Sequence, residues 1–154
     1  KSLELCEQTE NWNEMTSKEK LLNLHFTFFE NLTMNRSLVL MILGETKRKE
    51  WIILQELRKN FLEFTKQLTF ENLEILEKAK ESIKNFNEKT REEALWLHLI
   101  SIIEFWKKDQ SPSFEKTDLY IEKTIDTGFE FINNEPLKKV MDLGKFLWKE
   151  KFKV

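Results

Sequence analysis

The segment 94–106, ALWLHLISIIEFW, constrains the fold of this chain more than any other stretch. Wound as a helix, it is apolar on almost every side, so it cannot be a surface helix with one wet face and has to be covered on two sides. Asp109-Gln-Ser-Pro then ends the helix, and a second one begins after Ser111-Pro112, because proline is tolerated in a first turn. The pattern predicts a helical hairpin turned by a tight corner.

The second helix of this hairpin carries two neighbouring apolar stripes, and one of them has small residues at its middle. Thr124 and Thr127 would let another helix approach closely. We predict that the hairpin, residues 90–133, pairs with a second copy to form a four-helix bundle in a homodimer. The alternative is a central hairpin wrapped by the other helices of the same chain. The predicted dimer interface consists of Leu97, Ile100, Tyr120, Thr124, Thr127, Gly128 and Phe131.

Composition favours helix throughout the remaining sequence. The chain has 154 residues, which is enough for one domain with a full core, and only 3 glycines and 2 prolines. No strand alternation or internal repeat occurs. We therefore predict a single all-α domain over residues 1–154, a bundle of about six to seven helices.

Charge and cysteine content exclude several classes of protein. The net charge is -2, which gives no electrostatic reason for this chain to bind nucleic acid by itself. Cys6 is the only cysteine, so an internal disulfide and a cysteine zinc cluster are excluded, and a cytoplasmic protein is expected. No apolar run reaches the roughly 18 residues of a membrane span.

Helix boundaries can be predicted from capping signals. Thr16 with Glu19, and Thr90 with Glu93, have the spacing of capping boxes, in which hydroxyl and carboxylate satisfy backbone N–H groups reciprocally. An apolar helix over 36–43 is expected to end at Gly44 as its C-cap.

Two segments complete the predicted organisation. The stripes over 47–87 fit either one helix or two, depending on whether Thr69 caps a new one. Residues 135–152 predict an amphipathic helix. From 136 to 154 there are six lysines against one Asp and one Glu, a net of 6 - 2 = +4. Such a helix could lie on an anionic membrane, but docking on its own domain is the favoured interpretation, so a membrane partner is not expected.

Signals for catalysis are weak. His25 and His98 each lie on an apolar helical face, and neither belongs to a metal-binding or catalytic histidine pattern. There is no glycine-rich phosphate loop and no nucleophile elbow. We predict no enzyme activity, no cofactor and no metal site. His25 has two possible roles, a hydrogen-bonded core residue or a polar contact inside a ligand cavity.

Large aromatic side chains with few small ones to interleave favour an internal cavity for a small apolar ligand, although plain core packing remains the alternative for each residue. The predicted ligand-binding residues are His25, Phe26, Phe29, Trp51, Phe61, Phe64, Trp96 and Phe105.

The hairpin, residues 95–132, resembles the last two bundle helices of the ligand-binding, dimerising domain of TetR-family transcriptional regulators. Its sequence is LWLHLISIIEFWKKDQSPSFEKTDLYIEKTIDTGFEFI. Residues 15–43, MTSKEKLLNLHFTFFENLTMNRSLVLMIL, resemble the first helices of that domain. The pattern of Asp109, Ser111, Phe114 and Thr117 is also similar to a lipid-binding accessory protein of ubiquinone biosynthesis.

The resemblance implies the effector-binding and dimerisation domain of a TetR-like regulator, in which residues 1–15 would correspond to the end of the connecting helix. It implies a small apolar ligand between the helices at 17–31, 47–68 and 90–106, whose occupancy favours one arrangement of the two subunits. Contact with DNA would require the family's helix-turn-helix, for which the 15 residues before Thr16 are too few. The alternatives are a lipid- or quinone-binding accessory protein at a membrane surface, and a structural dimer without a ligand.

Overall fold

A computed structural model describes residues 1–68 and 81–133, with the side chains of 45, 81–88 and 131–133 excepted. Within these residues all regular structure is helical, as the sequence predicts, and no strand occurs. The helices are α1 (Ser2–Glu7), α2 (Ser17–Met34), α3 (Arg36–Glu45), α4 (Lys47–Thr65), α5 (Glu81–Lys108) and α6 (Glu115–Asn133), with 3-10 turns at Trp12–Glu14 and Pro112–Phe114.

The predicted capping box at the start of α2 is confirmed. The backbone N–H of Thr16 donates to Glu19 Oε2 at 2.7 Å, and the backbone N–H of Glu19 donates to Thr16 Oγ1 at 3.3 Å. Two N–H groups that have no partner within the helix are satisfied in this way. The start of α2 is therefore fixed by local sequence alone.

Helix α2 is the centre of the domain, since it packs against α1 and against α6. Its buried face carries Leu21, Leu24, His25 and Phe29. Helix α5 supplies the largest share of the remaining core and packs against both α4 and α6. The buried apolar residues are Cys6, Trp12, Leu21, Leu24, Phe29, Phe61, Phe64, Leu68, Trp96, Leu99, Ile102, Ile103, Trp106, Ile121 and Ile125.

Two predicted helix boundaries are wrong. Gly44 lies inside α3 and has no positive φ, so it is not a left-handed C-cap. The turn is made by Thr46, whose hydroxyl accepts the backbone N–H of Lys49 at 3.3 Å and caps α4. Thr90 lies within α5, which begins at least nine residues earlier at Glu81. Good helix formers on both sides of Thr90 continue the helix, so its capping signal is not used.

The region 47–87 is not one continuous helix, because α4 ends at Thr65 and the chain turns through Gln67 and Leu68. Residues 69–80, which include Thr69, lie outside the described residues. The predicted helix at 135–152 also lies there. Residues 1–15 form a six-residue helix and a separate 3-10 turn, with Asn11 in the left-handed region at φ 66° between them, instead of one connecting helix.

The hairpin of α5 and α6 runs antiparallel, as contacts along its length show. Phe105 stacks on Tyr120 with ring centres 4.7 Å apart, and His98 Nε2 lies 2.7 Å from Thr124 Oγ1. Residues further back on α5 thus meet residues further on in α6. The tight corner predicted from Asp-Gln-Ser-Pro is present between the two helices.

The Asp109 carboxylate organises this corner. Its Oδ1 accepts the backbone N–H and the hydroxyl of Ser111 at 2.8 and 2.7 Å, and its Oδ2 accepts those of Thr117 at 3.0 and 2.7 Å. Burial raises the pKa of Asp109, but the hydrogen bonds from Thr117 and Ser111 outweigh it and lower the pKa to about 2. Between these two partners of Asp109, Ser113 and Phe114 lie in the left-handed region, at φ 51° and 60°.

Arg36 closes the corner from the other side of the domain. Its guanidinium donates to the carbonyl oxygens of Trp106, Lys107 and Asp109 at 2.7, 3.0 and 3.1 Å. The Trp106 carbonyl also accepts the backbone N–H of Asp109 at 3.2 Å, and a cation at this carbonyl end of α5 adds further hydrogen bonds and complements the helix dipole. The first residue of α3 is thereby bound to the end of α5.

Candidate ligand-binding cleft

A cleft of about 270 Å³ lies between α1, α2, α4 and α5. Its walls are mainly leucine and phenylalanine side chains, and its volume is near the lower end of the range for ligand sites. The exposed residues Lys1 and Asn60 stand among its lining residues and mark the side that opens to solvent. The lining residues are Lys1, Ser2, Leu3, Leu24, His25, Phe28, Leu57, Asn60, Phe61, Phe64 and Leu99.

His25 is the buried polar residue of this lining, with only 1% of its surface exposed. Its Nδ1 lies 2.8 Å from the carbonyl oxygen of Leu21, one turn earlier on α2. A carbonyl can only accept, so Nδ1 carries the proton. The other ring nitrogen, Nε2, is buried and has no hydrogen-bond partner among the residues that the structure describes.

Burial keeps the His25 ring neutral. It lowers the pKa of His25 to about 3, helped by the nearby His98 and opposed by the hydrogen bond to Leu21. In the neutral ring with Nδ1 protonated, Nε2 is a bare acceptor. His25, a lining residue of the cleft, therefore holds an unpaired hydrogen-bond acceptor that is buried in the empty protein, an arrangement that costs free energy unless a donor reaches it.

His98 connects this part of the molecule to α6. Its ring centre is 5.5 Å from that of His25, and burial lowers its pKa. The hydroxyl of Thr124 donates to the carbonyl oxygen of Tyr120 at 2.7 Å, so it accepts a hydrogen bond from Nε2–H of His98. His25 and Thr124 thus contact opposite sides of the same imidazole.

Three of the predicted ligand-binding residues line the cleft together, namely His25, Phe61 and Phe64. Trp96 lies directly behind them, with its ring centre 6.4 Å from that of Phe61. The Phe61 ring also packs edge-on against His25 at 5.9 Å. These four aromatic residues form one cluster on α2, α4 and α5.

The structure places the other four predicted ligand-binding residues elsewhere. Phe29 is buried against Phe28 and Trp106, and Phe26 lines a second, more polar groove beside the hairpin corner. Trp51 is 62% exposed, and Phe105 is stacked on Tyr120 in the hairpin. The ligand-binding role of all eight residues stays a prediction.

Sequence reasoning missed several lining residues because it selected the bulkiest side chains. Leu57 belongs to the same stripe of α4 as Phe61 and Phe64, and Asn60 lies one turn after Leu57, so helical spacing could have found both. Leu3 gave no comparable signal. It joins the cleft only because α1 folds back onto α2.

The predicted dimer surface is partly open in the single chain. Leu97 is 64% exposed on α5, and Thr127 is exposed on α6. A Cβ added at Gly128 would meet, among the described residues, no atom within 4 Å beyond its chain neighbours and the backbone of its own helix. Ile100, Tyr120 and Thr124 are half-buried within the hairpin, and the side chain of Phe131 lies outside the described ones.

A family model of tetracycline repressor-like C-terminal domains matches residues 20–147, most of the chain. This chain belongs to the tetracycline repressor-like C-terminal domain family. No curated protein and no solved structure matches it. The match spans every helix that lines the cleft except α1, and it includes the hairpin.

Domains of this TetR-like family are regulatory, not enzymatic, and they generally bind small-molecule effectors and form dimers. Residues 1–68 and 81–133 contain no cluster of three side chains suited to hold a metal ion. Within the same residues, no helix combines the length and the apolar character needed to cross a membrane.

Proposed function

We propose that this TetR-like domain binds a small, mainly apolar effector in the cleft between α1, α2, α4 and α5, and that it forms a homodimer through the hairpin of α5 and α6. Binding of the effector favours one arrangement of the two subunits, and in this way a regulator senses the molecule. The shift requires that the effector bind one arrangement more tightly than the other.

The observation that carries this proposal is an apolar cleft whose lining includes one buried polar atom without a partner in the described part of the chain. Leucine and phenylalanine side chains supply the apolar contact area, and His25 Nε2 supplies one point of recognition. Apolar walls with a few placed polar groups are typical of small-molecule sites. A buried acceptor without a partner is uncommon in native cores, so its position in a residue that lines an open space supports a ligand site.

Coupling between the cleft and the hairpin has a physical basis in His98. This ring contacts His25 at the cleft and is hydrogen-bonded to Thr124 on α6, in the proposed dimer interface. A change in the position of the His25 ring therefore alters the packing of a residue that holds the two hairpin helices together. We propose this contact as the link between occupancy and subunit arrangement.

Intrinsic fluorescence tests the cleft. Trp96 packs on Phe61, which lines the cleft, whereas Trp51 is exposed to solvent. Titration of the purified chain with n-octanol should give a saturable change in emission. The change should persist in Trp51→Phe and be smaller in Trp96→Phe, where Trp12, whose ring centre lies 6.5 Å from that of Phe64, remains beside the cleft. No saturable change with n-octanol, together with no density for it in a crystal of the soaked protein, would refute the cleft as a binding site.

Sedimentation equilibrium tests the dimer with a matched pair of exposed leucines. Leu97 is 64% exposed in the hairpin, and Leu38 is 52% exposed on α3. Leu97→Lys should shift the wild-type dimer to monomer, because it places two like charges across a symmetric interface. Leu38→Lys should remain dimeric. A wild-type monomer at micromolar concentration, or equal effects of the two variants, would contradict the hairpin interface.

A further inference from the structure

We infer that the effector donates a hydrogen bond to Nε2 of His25, and therefore that it carries a hydroxyl or N–H group on an otherwise apolar body. This inference rests on the proposed function and specifies the chemistry of the ligand at the same cleft. The polar point of recognition is an acceptor, so the effector has to bring the proton.

The direction of the hydrogen bond follows from the partner of the other nitrogen. Nδ1 lies 2.8 Å from the carbonyl oxygen of Leu21, which has no proton to give. The ring must therefore donate from Nδ1, and its neutral form has a bare lone pair at Nε2. Because His25 is 1% exposed, a second proton on the ring would be costly. The described contacts leave Nε2 without a donor.

No neighbouring side chain supplies the missing proton. His98 is the nearest polar ring, with its centre 5.5 Å away, but its Nε2–H is given to Thr124. Phe61 packs edge-on against His25 and offers only C–H groups. A buried acceptor left this way is destabilising in the empty protein, and a ligand donor recovers that loss on binding.

Nε2 is covered in the empty cleft, so a ligand reaches it only when a covering side chain moves. The rings of Phe61 and His98 pack against the imidazole, and Phe61 is the one that also lines the cleft. His98 is held by its hydrogen bond to Thr124, whereas the side chain of Phe61 has no hydrogen-bonding group, so Phe61 is the side chain that we expect to move when a ligand binds.

The acceptor at Nε2 selects among classes of apolar ligand. An aliphatic alcohol, a phenol or an amide N–H satisfies it. A quinone, a ketone or an ionised fatty acid presents only acceptors, and would place oxygen lone pairs against the lone pair of Nε2. A cleft of about 270 Å³ further restricts the effector to a small molecule. The inferred class is a small amphipathic alcohol, phenol or amide.

Two isomeric probes isolate the donor. N-octanol and heptyl methyl ether contain the same atoms, but only the alcohol has an O–H group. We expect n-octanol to bind wild type about tenfold more tightly than the ether, the size expected for one hydrogen bond to a buried group. In His25→Leu the two affinities should become equal. The pair is compared on wild type alone as well, so the test stands if the variant fails to fold.

Nitrogen-15 NMR of the histidine side chains gives the direct readout. In the free protein, His25 should show a protonated Nδ1 and a bare Nε2, and n-octanol should shift the Nε2 signal while the ether leaves it in place. Equal binding of both probes would overturn the inferred donor but not the apolar cleft as a binding site. The same holds if the Nε2 signal shows a hydrogen bond to water in the free protein and does not respond to n-octanol. Absence of binding by both probes would overturn the cleft and the donor together.

Discussion

Replacing Asp109 by Asn should destabilise the domain at neutral pH far more than its small change in size suggests. The carboxylate accepts four hydrogen bonds from Ser111 and Thr117, two on each oxygen. Asparagine keeps one acceptor oxygen and turns an N–H₂ group toward two of those donors. The corner that joins α5 to α6 would lose half of its bonds.

The magnitude follows from the pKa of Asp109, which falls from 3.8 to about 2 in the folded protein. A folded-state pKa below the unfolded value means that the ionised form stabilises the fold, fully above the unfolded pKa. The difference corresponds to about 2 kcal/mol at pH 7. This contribution declines as pH falls below about 5 and is mostly lost near pH 2, where the carboxyl group is protonated.

Urea unfolding of wild type and Asp109→Asn, followed by circular dichroism at one protein concentration, measures this contribution. The two free energies of unfolding should differ by about 2 kcal/mol at pH 7 and converge toward pH 2 to 3. The matched control is Asp118→Asn. Burial, Asp109 and Glu30 raise the pKa of Asp118, so removing its charge should leave stability unchanged or slightly higher. A gap between wild type and Asp109→Asn that is the same at pH 7 and at pH 2.5 would refute the reasoning.

Three further outcomes are expected. Arg36→Lys should lower the free energy of unfolding by about 1–2 kcal/mol in the same urea assay, because a single ammonium cannot bond three carbonyls in the geometry of a guanidinium. Thr124→Val should cost about 1 kcal/mol and move the His98 side-chain NMR signals, since it removes the acceptor of Nε2–H. His25→Leu should lose less stability than wild type as the pH falls from about 6.5 to 3. The folded-state pKa of His25, about 3, lies below the unfolded value, so unfolded wild type binds one proton more than the folded protein in this range. This proton lowers the free energy of unfolding of wild type by up to about 1.4 kcal/mol per pH unit. Unchanged stability of either of the first two variants, or an unaltered pH slope in the third, would contradict the corresponding contact.

The sequence by itself determined the fold class, the start of α2 and the corner of the hairpin. Each of these depends on neighbours in the chain. Thr16 and Glu19 cap one helix between themselves, and Asp109 finds its donors at most eight residues away. The two-sided apolarity of 94–106 is likewise a local pattern, and α5 does pack against both α4 and α6. A local pattern also gave a wrong helix boundary. Thr90 has the spacing of a capping box but lies inside the longer helix α5.

Only the tertiary structure decided which side chains share the cleft. The size of an aromatic residue gave no information on which neighbour covers it. The sequence therefore predicted Trp51 and Phe61 equally as ligand-binding residues, although Trp51 is exposed and Phe61 is buried. Arg36 had no local signal at all, because its three acceptors lie some seventy residues away, at and just after the end of α5. The unpaired state of His25 Nε2 likewise depends on the tertiary structure. The bond of His25 to Leu21 is local, but the absence of a donor at Nε2 follows from how α4 and α5 pack around the ring.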